Sequence, residues 1–107
     1  MDATHVCTIG NDDALVDFDA WSAIVDASDE LRPEPFTGRD PATGMPMEHP
    51  PSAILVSLID DGNVRGRFWY DENHRTVLGS AKPDDSGQVI DCAAAIADTL
   101  GVAIERT

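Results

Sequence analysis

The first polar and apolar residues alternate. In residues 3–10, Thr4, Val6 and Thr8 fall on one side and His5, Cys7 and Ile9 on the other, until Gly10-Asn11 breaks the run. This pattern predicts an opening strand. The period then lengthens: Phe18, Trp21, Ile24, Val25, Ser28 and Leu31 share one face at helical spacing, with Asp19, Ser22, Asp26, Asp29 and Glu30 round the other. Asp17 suits an N-cap, and Val16 and Trp21 stand where a hydrophobic staple would join them. The spacing predicts an amphipathic helix from Phe18 to Leu31 with an acidic outer stripe.

Residues 32–52 hold six of the seven prolines and follow no sustained period, so they read as a long connection, with a turn at Asp40-Pro41-Ala42-Thr43-Gly44. Ala53 to Ile59 is then almost continuously apolar, as in a strand covered on both faces. Asp61-Gly62 is a two-residue hairpin signal, and the run after it alternates, with Val64, Gly66, Phe68 and Tyr70 opposed to Arg65, Arg67 and Trp69. A turn at Asp71 to Asn73 leads into a third strand, Arg75 to Gly79, which completes an antiparallel meander. Asp85 and Gln88 have the spacing of a capping box, and Val89, Ala93, Ile96, Ala97 and Leu100 form a helical apolar stripe that stops at Gly101. Val102 to Glu105 suits a short last strand. The expected fold is a single α+β domain of order βαβββαβ, an antiparallel sheet with two helices on one face.

A chain of 107 residues with 42% hydrophobic residues can build one core. Charge adds more: 20 acidic side chains face 7 basic ones for a net charge of -13, and Lys82 is the sole lysine. Binding to a nucleic-acid backbone draws on clustered Lys and Arg, so direct nucleic-acid binding is disfavoured, as are anionic membranes. A basic protein is the natural complement of such a field, although the same charge also serves solubility. Residues 1–35 carry nine acids and one base, whereas 53–80 carry four acids and three arginines, so the acidic field centres on the amino-terminal third. Met1-Asp2 opens no basic, apolar leader, which leads us to expect a cytoplasmic protein.

Little in the chain reads as chemistry. His5, His49 and His74 stand at no metal-ligand spacing, and Cys7 and Cys92 are too far apart for a CxxC motif. The pairs Asp12-Asp13, Asp60-Asp61 and Asp84-Asp85 sit at turns and helix starts, where Asp is favoured for its bonds to nearby backbone amides. Glu72 and His74 share a turn, but no nucleophile or oxyanion motif accompanies them. We expect no enzyme activity, cofactor or metal.

Gly38-Arg39-Asp40-Pro41-Ala42-Thr43-Gly44, with Met47 and Pro50, resembles the β-arm of HU/IHF-type DNA-bending proteins. That family's arm follows two helices and is rich in Lys and Arg. Here one acidic helix precedes it and Arg39 is its one basic residue, so we read the likeness as shared turn chemistry. The overall layout is also similar to small bacterial proteins with a Trp-bearing first helix, a loop of this type and an Ala-rich last helix ending at Leu-Gly, a resemblance that implies no activity.

Two surfaces stand out as sites for a partner. Asp19, Asp26, Asp29 and Glu30 mark one sector of the first helix, suited to a basic groove. Arg65, Arg67 and Trp69 would project from the sheet face opposite the helices, a hot-spot composition if open, and a homodimer through that face is the simplest use of it. The leading expectation is a non-catalytic protein that neutralises or regulates a basic protein, as an immunity protein or inhibitor does. The alternatives are a nucleic-acid-mimicking inhibitor and a self-assembling scaffold domain.

Overall fold

A computed structural model describes residues 4–33 and 54–106. In chain order the elements are β1 (Thr4–Ile9), α1 (Phe18–Ala27), β2 (Leu31–Pro33), β3 (Leu55–Asp60), β4 (Asn63–Asp71), β5 (Thr76–Ala81), α2 (Ser86–Leu100) and β6 (Ile104–Arg106). The six strands form one sheet of order β2-β3-β4-β5-β1-β6 with every neighbouring pair antiparallel. The fold is therefore the expected α+β arrangement with one strand, β2, added. The loop turn and the arm-like motif fall in 34–53, outside the described residues.

The β3–β4 hairpin closes through Asp61 (φ 52°) and Gly62 (φ 78°), the paired left-handed residues of a type I′ turn. Beyond it, Gly66, Phe68 and Tyr70 are buried on the face that receives both helices. Trp21 of α1 meets Phe68 edge-on with ring centroids 5.8 Å apart, and Val89 of α2 packs on the bare backbones of Gly66 and Gly79. Trp21, Phe68, Val77 and Val89 are all without exposed surface. Glycine is required at Gly79 by this close approach, since a Cβ there would lie 2.7 Å from the Cys7 sulfur.

α1 starts as expected: the Asp17 side chain accepts the Ala20 amide at 3.2 Å, and Val16 and Trp21 are both buried. It stops sooner than the apolar spacing predicts. Ser28 is extended (φ -100°, ψ 131°), and Leu31 belongs not to the helix but to β2, paired with Leu58 of β3. The Ile59 amide donates to the Glu30 carbonyl at 2.7 Å, so the open edge of β3 captures the chain where Ser and Asp give the helix little support. Asp29 and Glu30 consequently lie beyond the helix, and their helical alignment with Asp19 and Asp26 does not form.

Two bulges also shift expected faces. The β3 partner jumps from Gly66 to Val64 between Leu58 and Ile59, which leaves Arg65 as the extra residue and puts Val64 in solvent at 46% exposure. A similar skip at Val6 separates the His5–Ser80 and Cys7–Gly79 pairs, so His5 lies on the face away from Cys7 and Ile9.

α2 ends at Gly101 (φ 70°), whose amide, with that of Val102, takes up the Asp98 and Ala97 carbonyls. Its expected capping box is absent. Asp85 makes no side-chain cap bond and lies 3.7 Å from Arg65, while Gln88 donates to Asp60 of β3 at 3.0 Å. Partners brought in by the fold have replaced the local ones.

Candidate functional site

The two faces of the molecule differ in charge. Both helices lie on one side of the sheet, and neither segment that carries them, 17–31 or 83–105, contains a Lys, Arg or His. Asp19 and Asp26 are exposed at opposite ends of α1, two turns apart on one flank. Asp91 and Asp98, also exposed, repeat that seven-residue spacing on α2. In the sequence the signal for this second acidic stripe is Asp84, Asp91 and Asp98 at intervals of seven, beside the apolar stripe of α2.

Between the helices runs an open groove of about 460 Å³. Ile24, Leu31, Leu58 and Ile96 give it apolar walls, and Glu30 and Asp91 stand at its polar margin. Of the acids expected to bind a partner, Glu30 lines this groove, Asp26 and Asp29 lie near it in sequence, and Asp19 sits at the far end of α1. Cys92 also lines it. Burial, with the nearby Glu30 charge and Cys7 adding to it, pushes the Cys92 thiol up to about 11. The wholly buried Cys7 thiol is raised by burial too, so both sulfurs favour the uncharged form, and both cysteines are free.

The opposite face of the sheet presents residues in cross-strand rows. Arg32, Ser57, Arg67, Ser80 and His5 are successive partners in one, and Leu55, Trp69, Leu78, Thr8 and Glu105 in the next. Here Arg65, Arg67 and Trp69 come together. They line a pocket of about 370 Å³ with Leu55, Lys82 and Asp85. Arg65 meets the Asp85 carboxylate, yet its Nε is buried and, among the described residues, has no hydrogen-bond acceptor. Leaving such a donor unpaired costs about 1–3 kcal/mol. Lys82 follows β5 and reaches the pocket through the β4–β5 pairing, which no local spacing in the sequence signals.

The remaining polar cluster is a turn. His74 Nδ1 lies 2.7 Å from Asp71 Oδ2, and the Asn73 and His74 amides donate to Asp71 Oδ1. His74 therefore has Asp71 as its carboxylate partner rather than Glu72. Among the described residues, no three His, Cys, Asp or Glu side chains cluster as a metal site, and no helix is long and apolar enough to cross a membrane.

No family model, characterised protein or solved structure matches the chain.

Proposed function

We propose that this is a non-catalytic binding protein whose helical face docks a basic protein partner and thereby neutralises or regulates it, in the manner of an immunity protein or inhibitor. The observation that carries the reading is the pairing of two base-free acidic helices with an apolar groove open between them. The exposed carboxylates steer a positive surface toward the groove and raise the rate of encounter. The groove then offers apolar area to an anchoring side chain, which slows dissociation. Neither contribution needs a reactive group, in keeping with thiols held in their uncharged form.

The test uses the whole protein as bait in a lysate of its source, beside an Asp26→Lys/Asp91→Lys variant. A basic protein retained by the wild type at low salt, and lost both with the variant and as salt rises, supports the reading. Identical recovery with both baits, or recovery of the bait alone, removes the helical face from the mechanism and leaves self-assembly as the better account. Addition of duplex DNA separates the remaining alternative, because a nucleic-acid mimic is displaced from its target by DNA.

A further inference from the structure

The pocket on the outer face is chemically the reverse of the helical face. Six Lys and Arg side chains lie among the described residues, and three of them, Arg65, Arg67 and Lys82, line this one cavity. Among the described residues Asp85 is the one acid lining it, and Arg65 already engages that carboxylate at 3.7 Å. Two cations are left without an acid among the lining residues, in a chain whose net charge is -13. Apart from Ser80 the rest of the wall is apolar, with Leu55, Val64 and the Trp69 indole forming a surface for a flat hydrocarbon body.

From this arrangement we propose that the outer-face pocket binds a small organic anion: an acidic group held by Arg67 and Lys82, on an apolar ring laid along Trp69 and Leu55. The planar Arg67 guanidinium suits a carboxylate, because its N–H groups match the two oxygens of the anion. The unpaired Arg65 Nε–H lies in the same wall and has an acceptor to gain. At about 370 Å³ the cavity stands at the small end of ligand pockets, roughly 300–1,000 Å³, which fits a one- or two-ring acid and not a dinucleotide. The pocket shares no lining residue with the groove between the helices, so it holds or fails independently of partner docking there.

The experiment titrates the ¹⁵N-labelled protein with 2-naphthoate, and in parallel with 2-naphthylmethylammonium, a cation of the same ring size. The overall field of the protein attracts the cation and repels the anion, so preference for the anion has to come from the pocket. The expected result is saturable movement of the Gly66, Arg67 and Ala81 amides and the Trp69 indole N–H with naphthoate alone. Affinity should fall at least tenfold in Arg67→Gln and also in Lys82→Gln, two exposed positions at which the fold is retained, as the unchanged dispersion of the spectrum would verify. No saturable shift, an equal response to the cation, or undiminished affinity in both variants would overturn the proposal.

Discussion

The Tyr70 hydroxyl donates a buried hydrogen bond to the Val16 carbonyl at 2.9 Å, across 54 positions of sequence. It ties the segment that enters α1 to β4 in the centre of the sheet. The Phe18 ring lies 5.0 Å from that of Tyr70, and the Val16 amide donates to the Arg75 carbonyl, so three contacts fix the start of α1. Tyr70→Phe keeps the ring and strands the carbonyl. We expect a loss of about 1–2 kcal/mol in unfolding free energy, measured by urea denaturation at pH 7. Burial raises the Tyr70 phenol above 10.0, so its contribution is complete below that pH and is lost as pH rises through the folded value. The gap between wild type and variant should therefore narrow in strong alkali.

Gly66 is where α2 comes closest to the sheet. A Cβ there would run into Val89 of α2 and lie 2.7 Å from the Ser80 carbonyl oxygen. Gly66→Ala should cost about 1–3 kcal/mol by overpacking, read from the same denaturation curves. Part of that loss should return in Gly66→Ala/Val89→Ala, because shortening Val89 makes room for the new methyl. Additive losses in the double variant would place the strain at the Ser80 backbone instead.

These two sites also show what was legible in the sequence. The Asp61-Gly62 hairpin, the Gly101 stop and the side of the sheet bearing Phe68 and Tyr70 follow from local turn chemistry and period, which act within a few residues. β2 gave no such signal: Leu31-Arg32-Pro33 is a strand because β3 offers it an edge. The Asp85–Gln88 spacing marked a cap correctly in form, yet Arg65 and Asp60 supply competing partners that only the folded sheet brings near. For the site, alternation aligned Arg67 with Trp69. The bulge at Arg65, the arrival of Lys82 and the groove shared by Ile24, Leu58 and Ile96 are tertiary facts, since each joins residues from separate elements.

The Asp71 turn should respond to acid. Burial by itself would raise this carboxyl, but hydrogen bonds from the His74 side chain and from the His74 and Asn73 amides outweigh it and hold Asp71 below its ordinary 3.8. A depressed carboxyl stabilises the fold above its unfolded value and loses that contribution as pH falls through the folded one. Asp71→Asn should accordingly be less stable than wild type at pH 7, and the two should converge as pH falls below the folded value of Asp71. Parallel stability curves across that range would show that the turn's amides, not the charge, account for the difference.

Cys92 lies in the groove wall, where a reactive thiol would point to covalent or redox chemistry and an inert one to packing. With its thiol pushed up to about 11, far less than one part in a thousand is thiolate at neutral pH, whereas an ordinary cysteine near 8.5 has a few per cent. Native Cys92 should therefore react with a disulfide reagent at pH 7.5 about a hundredfold more slowly than a free thiol does. Cys7, wholly buried, should be slower still, and denaturant should release both at the ordinary rate. A partner that occupies the groove would protect Cys92 further without altering Cys7, whose access depends on opening of the core. Labelling of Cys92 with and without a captured basic protein thus measures groove occupancy directly, and equal rates in the two samples would move the docking surface away from the space between α1 and α2.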